Sequence, residues 1–257
     1  NAKLSAAIAA IASGNRLTSA STDIASLSIA SQLQSALGGL RQASGNIVQA
    51  SSLAQVADGG VSQLQELGIQ LQNLAQQAGS PILNDDNRKS LGEQFQQLVQ
   101  QIDSIAANTG FNGKKLLNGD LSASGALSLD SLLASEGSES GSLSISNLSS
   151  ADLFGGNPPD ISTAAGAAAA VSALGDVLGK LTGVRADIGS FLQSTSYAAA
   201  NIDTAIANQE AARSTLQDTD FAEASIQQSQ ALLQQNAALA VAAQGNRLSP
   251  ALLQLVG

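Results

Sequence analysis

The stretch from Leu174 to Leu216 constrains this chain more than any other. Leu174, Leu178, Leu181, Arg185, Ile188, Leu192, Thr195, Ala199, Ile202, Ile206, Gln209, Arg213 and Leu216 follow one another in alternating steps of four and three. A stripe with that period needs a helix, and the helix needs another helix to lie along. Sustained over so many turns, it predicts a coiled-coil-like element longer than an ordinary globular helix. Polar residues inside the seam weaken such a contact but can fix its register.

The same spacing recurs nearer the start. Leu64, Leu67, Leu71, Leu74 and Ala78 form one seam, and Leu91, Phe95, Leu98, Ile102 and Ile105 form another. Between them, "GSPILNDDNRKS" carries Pro81 and an Asn-Asp-Asp turn signal, so the helix breaks there and Asn84 or Asp85 caps the next one. Gly59-Gly60 is a weak point that a helix can tolerate, since each glycine costs about 1 kcal/mol. A last helix is expected from about Phe221, capped by Asp218, Thr219 or Asp220, and ending near Gly245 with Pro250 beyond it. The middle is rich in Gly and Ser; "GALSLDSLLA" and "GSLSISNLS" alternate as short strands do, and "GGNPPDIS" is a loop before the returning helix. The predicted fold is therefore mainly α, an elongated antiparallel helical bundle or coiled coil with a small β-hairpin-rich tip. Residues 1–107 form N-terminal rod helices, 108–164 a short exposed β-rich region, and 165–257 the returning helices. Rod and subunit packing is expected of Leu64, Leu67, Leu71, Leu74, Phe95, Leu98, Ile102, Ile188, Leu192, Ile202 and Ile206.

Composition narrows the chemistry. The 257 residues include no Cys, His, Met or Trp, one Tyr and five Phe. Without His or Cys there is no Ser-His-Asp triad, thiol nucleophile or usual zinc site, and no enzyme activity, metal or cofactor is expected. With a net charge of −9 and scattered Lys and Arg, no basic face for nucleic acid is expected. No run of about 18 apolar residues predicts a membrane span. The start of the chain does not read as a cleaved secretory signal. Asp218, Asp220 and Glu223 are read as a helix start favoured by the dipole rather than a metal cluster. Asp85-Asp86 with Arg88-Lys89 is read as a solvated turn, and Lys114-Lys115 as a solvated hairpin or a subunit contact. Asn147-Leu148-Ser149 matches a glycosylation sequon only by pattern.

Two separated stretches resemble the ends of bacterial flagellins. The first is "SGNRLTSASTDIASLSIASQLQSALGGLRQASGNIVQASSLAQVADGGVSQL" with "IDSIAANTGFNGKKLLNGD"; the second is "ARSTLQDTDFAEASIQQSQALLQQNAALAVAAQGNRLSPALLQLVG". The family's motif positions fall here on Arg16, Asp23, Phe111, Asn112, Gly113, Asp218, Asp220 and Phe221. "STDIASLSIA" departs from the family pattern in lacking a second Asp and a Gly, and members usually carry a further segment before the point where this chain begins, so the resemblance implies an N-terminally truncated flagellin with a short central region. It also implies a structural subunit of the flagellar filament, self-assembling for motility, extracellular on the bacterial flagellum and cell surface, and exported without a cleaved signal peptide. The implied partners are other flagellin subunits in a homopolymer, an export chaperone at about 220–257, and junction and cap proteins. In that closing segment Leu232, Leu233, Leu239, Val241, Leu248, Leu252, Leu253 and Leu255 make an apolar stripe. A hook–filament junction protein, or a flagellin-like surface adhesin or receptor with its ligand site in the 110–164 tip, share the same terminal helices.

Overall fold

The computed structural model describes residues 2–17, 23–122, 125–128 and 141–256, with side chains from Leu4 to Gly245 within those limits. The chain is mainly α-helical. The described elements are α1 (Ala2–Ser13), α2 (Ile24–Ala78), α3 (Asp85–Asn108), β1 (Gly110–Phe111), β2 (Lys114–Lys115), β3 (Leu127–Ser128), β4 (Ser142–Leu143), α4 (Ser150–Phe154), α5 (Ala164–Gln217) and α6 (Phe221–Val256). At 1.5 Å per residue, the 55 residues of α2 run about 80 Å. The strands form two antiparallel pairs, β1 with β2 and β3 with β4. Of "GALSLDSLLA", residues 129–134 lie outside the described residues.

Two compact units divide the chain. The first, 1–41 with 204–257, takes in α1, the start of α2, the end of α5, and α6. Its described buried side chains are few and mostly small: Ala7, Leu17, Ala30, Leu37 and Ala224. Polar links tie α2 to α5 within it, with Arg41 Nη2 donating to Glu210 Oε1 at 2.6 Å and Arg213 Nη1 to Gln34 Oε1. The second unit, 42–203, holds one continuous core. It draws on Ala54, Ala57, Val61, Leu64 and Leu71 of α2, Phe95, Val99 and Ile102 of α3, Leu116, Leu117, Leu143 and Ile145 around the hairpins, and Leu174, Val177, Leu181, Ile188 and Phe191 of α5. By length and hydropathy alone, α5 is apolar enough to cross a membrane. Its apolar stripe is instead spent on this core.

The buried seams are shifted from the sequence expectation at alternate positions. On α5, Leu174, Leu181, Ile188, Thr195 and Ile202 are buried as expected of a heptad. Between them, however, the buried residues are Val177 and Phe191, while Leu178 and Leu192 are half-buried and Arg185 is exposed. On α3, Gly92, Val99 and Ala106 are buried, and Leu91, Leu98 and Ile105 sit half-buried beside them. On α3 the small Gly92 and Ala106 take the line of contact and their bulky neighbours cover its flanks, whereas on α5 the aromatic Phe191 fills it in place of Leu192.

The chain breaks once more before α2, and the end of the last helix differs from expectation. The chain leaves the helix at Gly14 (φ +67°), and α2 begins only after Asp23, whose Oδ1 accepts from Ser26 N at 3.0 Å. The hydrogen bonds from Ser26, side chain first, hold the Asp23 carboxyl below its usual range. The last helix continues past Gly245 and Pro250 to Val256. The Ala, Leu and Gln runs on both sides favour helix strongly, and they carry it through the two interruptions. Elsewhere Asn84, not Asp85, caps α3, its Oδ1 accepting from Asn87 N at 2.8 Å.

The glycine pair in α2 divides its roles. Gly59 is exposed and a Cβ there meets nothing within 4 Å. Gly60 is buried, and a Cβ there would lie 2.8 Å from Leu117 Cδ1 and 2.9 Å from Thr109 Cγ2. Gly59→Ala is therefore expected to stabilise by roughly 0.5–1 kcal/mol through helix propensity. Gly60→Val is expected to destabilise by about 1–3 kcal/mol through overpacking. Thermal midpoints that move the same way for both variants would refute this division.

Candidate assembly surfaces

The motif residues near the two ends meet in the first unit. Asn15 and Asp218 form an antiparallel bridge, with Arg16 N donating to Gln217 O at 2.7 Å and Thr219 N to Gly14 O at 3.1 Å. The Arg16 guanidinium Nη2 donates to Leu216 O at 2.9 Å. Asp218 Oδ2 accepts from Ser214 Oγ, and Asp220 Oδ1 accepts from Ala222 N at 2.8 Å and Glu223 N at 3.2 Å. Asp220 thus caps α6, where a carboxylate also complements the helix dipole. Phe221, the first residue of α6, is 59% exposed. Among the described residues no group of acidic side chains is arranged to hold a metal ion.

Phe111, Asn112 and Gly113 lie in the second unit, apart from that group. Asn112 (φ +49°) and Gly113 (φ +81°) make the two-residue loop between β1 and β2, with Phe111 opposite Lys114. Both loop residues need positive φ, which Asn-Gly supplies at little cost in a type I′ turn. Lys115, Leu116 and Leu117 then lead the chain back over α2 and α3, where Leu116 N donates to Thr109 O at 3.1 Å.

The seam residues divide by burial. Leu64, Leu67, Leu71, Phe95, Ile102, Ile188 and Ile202 are buried; Leu74, Leu98, Leu192 and Ile206 are half-buried. All but Ile206 belong to the second unit, so these residues mainly hold one subunit together. The side chains free to meet another molecule lie elsewhere. In the first unit Ile24, Ile29, Phe221, Ile226, Leu233, Leu239 and Val241 are exposed. Leu248, Leu252, Leu253 and Leu255 of the closing stripe lie outside the described side chains. In the second unit Val48, Ile69, Ile82 and Tyr197 are exposed.

Several polar groups that position this architecture are not visible as motifs. Arg88, expected in a solvated turn, is buried. Asp103 reaches from α3 to the start of α4, accepting from Ser150 N at 2.7 Å and Ser150 Oγ at 2.9 Å. Asn147 of the sequon is engaged in the same turn: its Nδ2 donates to Asp152 Oδ2 at 2.6 Å and its Oδ1 accepts from Ser149 N at 3.0 Å. Asp160 accepts from Ser162 N and Oγ, backbone first, which lowers its pKa. Of these, Asp160 carries a sequence signal, its place directly after Pro158-Pro159.

Two family models match this chain. Bacterial flagellin N-terminal helical region matches residues 1–122, and bacterial flagellin C-terminal helical region matches residues 171–256. A flagellin of Halalkalibacterium halodurans is 28% identical over 250 residues, covering 96% of this chain and 89% of that protein. A flagellar filament core protein of Brachyspira hyodysenteriae is 26% identical, covering 100% and 93%. The crystal structure of Bacillus cereus flagellin superposes with a TM-score of 0.51 at 23% identity, over 62% of this chain and 88% of that one, and shares the fold. With the N-terminal and C-terminal regions both present, in order, and joined by the paired breaks at Asn15 and Asp218, the chain belongs to the bacterial flagellin family.

Proposed function

We infer that this chain is a structural subunit of the bacterial flagellar filament and that it self-assembles through its terminal helices. The observation that carries this reading is the contrast between the two units. Residues 1–41 and 204–257 hold five basic and five acidic residues, whereas 42–203 hold six basic and fifteen acidic. The whole net charge of −9 therefore sits on the second unit. The first unit is neutral, thinly cored among its described side chains, and exposes several large apolar ones, which suits a part buried between copies. A neutral contact avoids stacking like charges in every repeat, and contacts that do not close propagate into a filament.

On this reading the other subunits are the main partners, and the function is structural rather than catalytic. The apolar stripe of α6, about 220–257, is also the segment an export chaperone would cover before assembly, and junction and cap proteins would meet the same terminal surface. Export would proceed without a cleaved signal peptide to the cell surface. Residues 1–107, 108–164 and 165–257 would then act as outgoing rod, hairpin-bearing middle packed on the rod core, and returning rod.

Seeded polymerisation of the purified protein tests this. The parent should elongate filament seeds. Leu233→Asp with Leu239→Asp, both on exposed positions of α6, should slow elongation at least about 100-fold while the helical circular dichroism stays at the parent level. Elongation of the double variant at the parent rate would overturn the assignment of the contact to α6. A parent that never adds to seeds would overturn the filament reading itself.

A further inference from the structure

The first unit has two chain breaks side by side, and their geometry is more specific than two loops that happen to be neighbours. α1 ends at Ser13 and α5 at Gln217. The chain then runs through Gly14, whose positive φ turns it out of the helix, into a short extended piece that lies antiparallel to 217–219. One backbone bond crosses in each direction, from Arg16 N to Gln217 O and from Thr219 N to Gly14 O. Arg16 adds a third from its side chain to Leu216 O. The last two carbonyls of α5, those of Leu216 and Gln217, are therefore capped by the segment that follows α1. A guanidinium at a helix C-terminus is also favoured by the helix dipole.

This arrangement matters because the contact of α1 with α6 itself buries few side chains fully. Twelve residues are too few to hold a helix in water unaided. Among the described side chains only Ala7 of α1 and Ala224 of α6 are buried, while Ile8 and Ile226 are 46% and 57% exposed. Alanine against alanine lets the helices approach closely, but it removes little apolar surface from water.

We propose that Arg16 and the Gly14–Arg16/Leu216–Thr219 bridge act as a clasp that couples the two breaks, so that α1 and α6 dock and release as one event. Opening the bridge removes the cap of α5 and the anchor of α1 together. Neither break then loosens alone, and the two terminal helices present one joint surface or none.

Hydrogen exchange followed by mass spectrometry on the full chain tests the coupling. Arg16→Ala should speed exchange about tenfold in peptides covering 4–17 and 214–224 alike, and leave 42–203 at the parent rate; tenfold corresponds to about 1.4 kcal/mol, in the range of one hydrogen bond to a charged group. Arg16→Lys keeps a cationic donor for Leu216 O and should restore most of the protection. Thr219→Pro removes the opposite bridge donor, so it should speed exchange at 4–17, on the far side of the bridge. Acceleration confined to the mutated side in either variant, or unchanged exchange on both sides, would overturn the clasp.

Discussion

Phe191→Ala is expected to destabilise the second unit by about 3–5 kcal/mol, the cost of emptying a fully buried aromatic site. Phe191 is 1% exposed and belongs to the continuous core with Phe95 and Leu181. Its neighbour Leu192 is half-buried at the edge of that core. Leu192→Ala is expected to cost on the order of 1 kcal/mol, since part of its surface already meets water. Thermal unfolding by circular dichroism separates them: the Phe191 variant should melt well below the Leu192 variant. The opposite order would restore the seam in which Leu192 faces the partner helix.

That pair also shows how much of the fold is legible in the sequence. The period of the stripe was readable, and with it the helices, their length and the mainly α fold. The phase was only half readable. A reader of the sequence follows the bulkiest apolar residue at each turn, which on α3 gives Leu91, Leu98 and Ile105. Packing instead places Gly92, Val99 and Ala106 on the line of contact. Gly92 is buried although it has no side chain, and a Cβ there would meet Ile161 Cγ1 at 3.9 Å, an ordinary contact. Gly68 of α2 is tighter, with its missing Cβ 2.9 Å from Leu178 Cδ2. Such residues carry no hydrophobic signal, and only the neighbour's position reveals their use. Asn112 and Gly113 entered only as family motif positions, yet the two positive-φ residues of that turn are ones an Asn-Gly dipeptide supplies locally. The Asn15–Asp218 bridge was not legible, because its two strands are two hundred residues apart and pair through main-chain atoms.

Arg88 is the group for which composition misled most, and its replacement should be nearly as costly as that of Phe191. A cation after Asp85-Asp86 reads as part of a solvated turn, yet its side chain is 8% exposed while that of Asp85 is 100% exposed. The guanidinium folds back under the turn. Nε donates to Ala78 O at 2.8 Å, and Nη2 to Ser80 O at 3.2 Å and Leu83 O at 3.3 Å. Nη1 donates to Asp85 Oδ1 at 3.1 Å. Ala78 is the last residue of α2 and is fully buried, so its carbonyl has no water to replace a lost donor. One planar fork thus ends α2, shapes the turn and fixes the start of α3, a combination that a single ammonium cannot reproduce. Arg88→Ala is expected to cost about 3 kcal/mol, from the unsatisfied carbonyls and the lost charge-assisted bonds together. For a chain of this size that lowers the thermal midpoint by roughly 6–12 °C. Arg88→Lys should recover less than half of the loss, because the ammonium cannot span all three carbonyls. Arg88→Met tests the alternative that the stem matters more than the head: it fills the same space without donors. A methionine variant that melts with the parent would show that Arg88 serves by packing alone; one that melts with the alanine variant locates its contribution in the capped carbonyls at the end of α2.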